Sequence, residues 1–543
     1  MKFRNIFLTL AIAAGCVVSA AQTSADDARV RDKITQAVMK VYDDQLAKDP
    51  SDYNTRFARA NQLFYNGEYA KALADANEVL DQLPAKDKTL SFDTYMLKAR
   101  IYDAMGHFEE EVEALRTASE LNPKSMGCID MLAKVSLKVN DLDAAERNFQ
   151  SILRDTPMNY DAMYGLAKIE VKRQNYEKAA NYVDKAVTLF TAEPQVYINR
   201  ADILSQMQQY EPAAQDLISA LSVGSDTGNA LQALINMSDT HYDDVMSALA
   251  NSIDKAPRVG MFYYVRSSIA LRHVHYGQAL KDLKSIIANN LYDFHSIYAD
   301  AALCQMELMQ YTDALANISK AIEMNDSEVD YYILKSRIEY NLGKGGNFGA
   351  AYANLDKALE LDSKNATALL TKARLLVTQR NNAEALKCVN AIIDNDAANS
   401  EALLLRGWIN KYRMKNAVAA AADFEAMLRL GKDYNSLRGF ALHELGKDME
   451  ARDWAKHIIQ DGILPGGQTY IMASALYSDI GDVEFGDKGS SIECLRSALA
   501  NGFGSLYDVK VNEFPYVNLK LVRRYPEFNT VLEQNADCFK ERR

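Results

Sequence analysis

Small residues recur along this chain at a fixed interval, and this periodicity constrains the fold more than any other feature. Ala99, Ala133, Ala167 and Ala201 follow one another every 34 residues, each within a segment that has apolar residues at helical spacing. Four more columns share the register: Phe108, Leu142, Tyr176 and Tyr210; Ala145, Ala179 and Ala213; Phe149, Val183 and Leu217; and Ala118, Ile152, Ala186 and Ala220. A constant period of this length is typical of an array of stacked structural units.

One period of the sequence predicts a helical hairpin. Residues 160–171 have apolar side chains at helical spacing, residues 173–175 are polar, and residues 176–187 have a second set of apolar side chains at helical spacing. This order indicates two amphipathic helices joined by a turn. The recurring alanines let the two backbones approach closely, so a larger side chain at Ala167 is expected to push the helices apart.

These columns resemble the tetratricopeptide repeat, whose motif has small residues in both helices, a Gly and a Tyr near the turn, and a Pro after the second helix. The clearest matches are residues 66–69 (Asn-Gly-Glu-Tyr) with Ala72 and Pro84, and residues 105–108 (Met-Gly-His-Phe) with Ala99 and Pro123. The resemblance covers most of residues 50–500. It implies an all-α fold, an α-α superhelix of antiparallel helical hairpins.

The pattern divides the chain into six segments. We predict a signal peptide (1–20), an N-terminal leading helix (21–49), an array of about five units (50–221), a degenerate repeat (222–257), an array of about seven units (258–500) and a C-terminal cap (501–543). The Gly-rich residues 343–347 lengthen one turn and predict a flexible loop.

The N-terminal residues have the three-part order of a secretory signal. Lys2 and Arg4 precede a short apolar run, and small residues precede Ala21, so we expect cleavage and a periplasmic or otherwise exported protein. A second interpretation stays open, because residues 13–16 (Ala-Ala-Gly-Cys) partly resemble a lipobox, which usually has Leu or Val where Ala13 stands. Lipid on Cys16 would make the chain an outer-membrane lipoprotein.

Charge and cysteine distribution narrow the classes of partner. A net charge of −12 disfavours nucleic acid and anionic lipid, and no run of 18 apolar residues predicts a transmembrane segment. The cysteines beyond the leader are dispersed and have no C-x-x-C pair. We interpret them as buried thiols, with one disulfide involving Cys538 as the alternative.

No catalytic, cofactor-binding or metal-binding motif is found, and we predict that the chain is not an enzyme. The Gly-rich turn lacks the G-K-[ST] ending of a P-loop. His273 and His275 stand two residues apart, which directs them to different faces of a helix, so turn residues are a better interpretation than metal ligands.

Two groups of side chains are candidates for partner binding. In the family that the repeat resembles, the first helix of every unit lines a concave groove. The first candidate group is cationic and suits an acidic ligand: Arg100, Lys134, Lys138, Lys168 and Lys172. The second combines cations with aromatic anchors: Arg337, Arg374, Trp408 and Tyr412. Packing of Trp408 against the next hairpin is the alternative for that residue.

The leading functional hypothesis is a non-enzymatic scaffold or adaptor of the bacterial cell envelope that binds partner proteins or peptides in the groove. The second is an outer-membrane lipoprotein that binds glycans or takes part in envelope assembly. Some such proteins embed several of these repeats, but they have large insertions with aromatic sugar platforms, and the insertions here are short. Lipid on Cys16 would separate the two hypotheses.

Overall fold

A computed structural model describes residues 25–84, 86–224, 228–342, 347–430, 437–462, 464, 466–481, 487–512 and 518–540. The predicted signal peptide, Cys16 and residues 343–346 of the predicted loop lie outside these ranges. The chain divides into two compact units between residues 250 and 251, a position that lies within the predicted degenerate repeat.

The first unit is built from consecutive helices. Their bounds are α1 Ala25–Lys48, α2 Tyr53–Tyr65, α3 Tyr69–Gln82, α4 Lys88–Met105, α5 Phe108–Leu121, α6 Met126–Lys138, α7 Leu142–Asp155, α8 Tyr160–Lys172, α9 Tyr176–Leu189, α10 Pro194–Gln206, α11 Tyr210–Val223, α12 Gly228–Ser238 and α13 Tyr242–Lys255. The boundary between the two units falls inside α13.

The second unit continues the same pattern and ends in shorter helices. Its helices are α14 Gly260–Arg272, α15 Tyr276–Ala288, α16 His295–Glu307, α17 Tyr311–Met324, α18 Val329–Asn341, α19 Phe348–Leu361, α20 Ala366–Thr378, α21 Asn382–Asn395, α22 Ser400–Trp408, α23 Ala417–Arg429, α24 Arg438–Glu444, α25 Asp448–Asp461, α26 Gln468–Ile480, α27 Asp487–Ala500, α28 Leu506–Lys510 and α29 Glu527–Gln534. A π-helical turn extends α22 over Ile409–Arg413. No helix in the described ranges is long and apolar enough to cross a bilayer.

Consecutive helices pair into hairpins, and the first helices of successive hairpins lie side by side. In the first unit α2 contacts α4, α6 contacts α8, and α8 contacts α10; in the second, α16 contacts α18 and α18 contacts α20. We call these rows the first-helix layer of each unit. The predicted all-α stack of hairpins is confirmed.

Small side chains occupy the helix crossings. The first alanine column is buried at Ala99, Ala133, Ala167 and Ala201, and the fourth residue of most second helices is a fully buried alanine: Ala72, Ala145, Ala179, Ala213, Ala279, Ala314, Ala351 and Ala385. Close contact is needed nearby as well, because a Cβ atom added at Gly165 would lie 2.3 Å from the ring of Phe149. The crossings therefore have no room for larger side chains.

Glu111 interrupts the alanine column of the second helices. It is the fourth residue of α5 and is only 3% exposed. Its Oε2 atom has no hydrogen-bond partner among the described residues. Burial, together with the nearby Asp103 carboxylate, raises the pKa of Glu111 to about 7, although Lys138 lowers it.

Buried arginine–aspartate pairs join the two helices of four hairpins. An Arg in the first helix donates Nε and Nη2 to an Asp in the second in each pair: Arg59–Asp75, Arg200–Asp216, Arg266–Asp282 and Arg406–Asp423. The guanidinium of Arg200 also donates to Asp184 on the preceding second helix, at 2.9 Å. Arg200 therefore clamps three helices with planar, charge-assisted hydrogen bonds.

Removal of one clamp should loosen its hairpin. Arg200→Met leaves Asp216, which is 4% exposed, as an unpaired buried carboxylate, and we expect a loss of about 3 kcal/mol. Burial already raises the pKa of Asp216, and Arg200 counteracts this rise. The loss should therefore be smaller at pH 5 than at pH 8, because the unpaired acid can take up a proton. Hydrogen exchange of α10 and α11 measures the effect, and Arg154→Met on the exposed side of α7 is the control. Equal exchange in both variants would contradict the clamp.

Glu111 should make the first unit sensitive to pH. Its folded-state pKa of about 7 lies above the ordinary value of 4.5, so the unfolded chain loses this proton first, and stability falls as the pH rises from about 4.5 to 7. Glu111→Ala removes the buried charge and restores the alanine column. We expect a gain of about 1–3 kcal/mol at pH 8 and a flatter pH profile.

Thermal unfolding of the wild type and of Glu111→Ala at pH 5 and pH 8 tests this expectation. The matched control is Glu113→Ala on the same helix, whose side chain is 74% exposed. A pH dependence that Glu111→Ala leaves unchanged would show that Glu111 is not its source.

Candidate protein-binding face

The first-helix layer of the first unit places cations over aromatic rings. The guanidinium of Arg100 lies 5.7 Å from the ring centroid of Phe64. The ammonium of Lys138 lies 4.8 Å from that of Phe108, and the ammonium of Lys168 lies 5.2 Å from that of Tyr164. These distances are those of cation–π contacts, which orient the charged groups while leaving hydrogen-bond donors available.

Carboxylates and an amide accompany several of these lysines. Lys134 pairs with Asp130 at 2.7 Å, Lys138 pairs with Asp103, and Lys172 donates to the amide oxygen of Asn140 at 3.3 Å. The sequence predicted a cationic group suited to an acidic ligand, with these four lysines and Arg100 as its members. The face that the structure describes carries both signs of charge, because acidic residues on the same helices partner two of the four lysines.

Lys168 differs from its neighbours in the row. It is half-buried, and no carboxylate among the described residues lies within 4 Å of its Nζ atom. Its aromatic neighbour is fixed, since Tyr164 donates its hydroxyl to Asp202 on α10 at 2.6 Å. Burial and this aspartate raise the pKa of Tyr164 well above its ordinary value, so the phenol stays protonated. The ammonium of Lys168 therefore lies over a ring that is held in place, and its hydrogen-bond donors are available to a ligand.

The second predicted group separates into distinct environments. Trp408 is partly buried against the core cluster of residues 369–409, and its ring centroid lies 5.3 Å from that of Tyr412. Tyr412 is 41% exposed and donates to Glu444 at 2.9 Å, and Arg374 is half-buried.

Arg337 lies in a different environment. It binds Glu307 at 2.9 Å and lies 6.0 Å from the ring of Tyr507. The residues of this group therefore already contact other parts of the unit.

Sequence reasoning missed the partners that organise the first face. Asp103, Asp130 and Asp202 stand on first helices of the same row as the cations, and their spacing from the lysines was visible in the sequence. Asp130 is four residues before Lys134, the helical spacing of an ion pair. The pairs between hairpins, such as Lys138 with Asp103, are 35 residues apart, close to the repeat period. This near-period spacing was the signal for a contact between neighbouring hairpins.

The five cysteines within the described ranges are free thiols. Cys128, Cys304, Cys494 and Cys538 are buried, and Cys388 is partly buried. Burial raises the pKa of Cys128 to about 11 and that of Cys494 to about 12. These thiols are therefore protonated and unreactive at neutral pH.

Similarity to known proteins covers parts of the chain. General transcription factor 3C polypeptide 3 of Homo sapiens is 20% identical over 314 residues, which are 51% of this chain and 34% of that protein. The TPR repeat-containing protein MJ1428 of Methanocaldococcus jannaschii is 23% identical over 446 residues, which are 75% of each chain. Among solved structures, yeast Tom70 is similar with 16% identity and a TM-score of 0.34, over 76% of this chain and 98% of that chain. This chain thus spans about a third of its human relative.

Family models identify the repeat unit itself. Three segments match models described as tetratricopeptide repeat, and the central one contains four of the candidate lysines. This repeat is a scaffold fold typical of protein–protein interaction. Residues 92–125, 131–194 and 344–409 are therefore similar to the tetratricopeptide repeat, and they lie within a longer array of helical hairpins.

Proposed function

We propose that this chain is a non-enzymatic scaffold of the bacterial cell envelope that binds partner proteins or peptides on the first-helix layer of its first unit. The observation that carries the proposal is the row of cations over aromatic rings formed by Arg100, Lys138 and Lys168. Aromatic residues and cations are enriched among the residues that dominate binding energy at protein interfaces. A row that repeats along neighbouring hairpins suits an extended segment of a partner.

The charges on this face favour a partner that presents carboxylates. Arg100, Lys138 and Lys168 each lie over an aromatic ring, which lowers the entropy lost when the side chain is immobilised by a ligand. Lys168 supplies an ammonium without a carboxylate of its own chain, whereas Lys134 and Lys138 would exchange Asp130 and Asp103 for a partner's acid. The acidic residues on the same face then provide register, because they repel a ligand whose carboxylates are displaced along the row.

Export is part of the same proposal. The order of residues 1–20 supports cleavage by a signal peptidase, which yields a mature chain that begins at Ala21. Lipid on Cys16 is the anchored alternative. Mass spectrometry of the mature N-terminus from envelope fractions distinguishes them: we expect an unmodified N-terminus at Ala21, and a diacylglyceryl group on Cys16 would replace periplasmic release by anchoring.

Reversal of one charge should test the face. We expect Lys168→Glu to lower the yield of partners crosslinked to the chain in native envelopes about tenfold, the effect of a lost interfacial charge pair plus repulsion. Reversal of all four lysines, Lys134, Lys138, Lys168 and Lys172, should abolish it. Crosslinking followed by mass spectrometry measures the partner yield.

Lys178 provides a matched control. It is an exposed lysine of the same hairpin, but it stands on the second helix, α9. Lys178→Glu changes the net charge by the same amount, so it should leave the yield of crosslinked partners intact. Equal recovery from all variants, or equal loss with Lys178→Glu, would contradict partner binding on the first-helix layer.

A further inference from the structure

The turn between α14 and α15 inserts into a notch formed by the end of the same unit. This turn contains His273, Val274 and His275, and Val274 has a left-handed backbone with φ of 63°. The amide of Gly504 donates to the carbonyl oxygen of Val274 at 3.0 Å. The Nε2 atom of His275 lies 3.3 Å from the carbonyl oxygen of Asn501. His273 and His275 thus flank Val274, whose carbonyl oxygen accepts the hydrogen bond from the notch.

Three glycines give the notch its shape. A Cβ atom at Gly466 would lie 1.7 Å from the carbonyl oxygen of His273, and one at Gly504 would lie 2.6 Å from that of Val274. A Cβ atom at Gly502 would lie 2.1 Å from the ring of His275. The contacted atoms at Gly466 and Gly504 belong to backbone, so side-chain rotation cannot relieve these clashes. The notch fits the turn only with glycine at these positions.

The residues that follow the notch, 505–512, continue across the first-helix layer of the second unit. Ser505 donates its hydroxyl to Glu307 at 2.5 Å, and both residues are buried. Glu307 also accepts a hydrogen bond from Arg337, whose guanidinium lies over the ring of Tyr507. Glu307 ends α16 and Arg337 lies on α18. The Ser505 hydroxyl and the Tyr507 ring therefore complete the contacts of the Glu307–Arg337 ion pair in this layer.

The aromatic ring is also an apolar anchor. Tyr507 is 4% exposed and belongs to a core cluster with Ala299, Ala302 and Met306 of α16 and with Tyr331 and Ile338 of α18. Its burial against the first-helix layer matches the way in which a bound peptide fills a groove with an aromatic side chain. Unlike the hairpins, this segment has no repeat pattern that ties it to these helices.

We propose that residues 502–512 are a built-in ligand that occupies the first-helix layer of the second unit and excludes partner peptides until it is displaced. The competing ligand is a peptide that presents a hydroxyl for Glu307 and, two residues later, an aromatic ring for Arg337. This proposal concerns the second unit and uses no partner of the first, so it can fail while the proposed scaffold function stands.

A fluorescent peptide with the sequence of residues 501–512 is the probe, added to the full chain. Wild type should bind it weakly, because the resident segment fills the site. Gly504→Ala places a methyl group against the Val274 backbone and should release the segment. We expect the probe to bind this variant at least about tenfold more tightly in fluorescence anisotropy, a change equal to about 1.4 kcal/mol. Hydrogen exchange of residues 502–512 should rise at the same time.

Two controls define the specificity of the probe and of the substitution. Gly489→Ala on α27 adds a methyl group that meets nothing within 4 Å, so it should bind the probe as wild type does. A probe with alanine in place of Ser505 and Tyr507 should not bind Gly504→Ala. If Gly504→Ala fails to fold, Ser505→Ala is the milder test, because it adds no atoms and removes only one hydroxyl, which donates to Glu307 and accepts from the amide of Asp508. It should still raise probe affinity about tenfold.

Three results would overturn the proposal. The first is unchanged exchange of residues 502–512 and unchanged probe binding in Gly504→Ala and Ser505→Ala. The second is equal binding of the original and the alanine-substituted probe. The third is loss of exchange protection in α16 and α18 together with the segment in both variants, which would make the segment a permanent part of the core.

Discussion

The close approach of two helix backbones at the alanine crossings is the constraint on which the structure depends. With Ala167 and Ala179 fully buried between α8 and α9, the helices of a hairpin pack at a short distance and leave apolar flanks on both sides. A hairpin cannot cover these flanks alone, so each needs a neighbour, and stacking follows from the packing of a single unit. The same geometry sets the first helices in a row, where their remaining side chains form a continuous face.

Charged side chains lie beside the alanine crossings at several positions, and their contacts differ with position. An Arg beside the alanine column, such as Arg200, reaches Asp216 in its own hairpin and Asp184 in the one before, so its charge joins units while it is compensated. Glu111 shows the opposite case, since its carboxylate replaces an alanine and finds no partner for Oε2 among the described residues. Position within the unit thus decides whether a charge joins helices or strains them.

The sequence predicted the elements that repeat and missed those that do not. Most hairpins share the same columns, and these predicted the fold class, the helix pairs and the first-helix layer with Lys134, Lys138, Lys168 and Lys172. The prediction considered the cations of this face and left out the carboxylates that partner two of these lysines. The contact of Ser505 with Glu307 joins residues 198 apart, and no period relates them. Such a contact depends on how the intervening hairpins stack on one another, which local patterns do not specify.

The two units therefore use equivalent rows of helices in chemically different ways. In the first unit Arg100, Lys138 and Lys168 lie over aromatic rings of the same unit, and Lys168 has no carboxylate beside it among the described residues. In the second, Arg337 is already satisfied by Glu307 and by the ring of Tyr507 from the end of the chain. A partly buried arginine with both partners in place gains little from a further ligand, because binding must first break those contacts. Since the repeat supplies the same row in both units, the chemical difference between the two faces lies in the segment that follows the repeats, and in the glycines that let its backbone reach the turn at Val274.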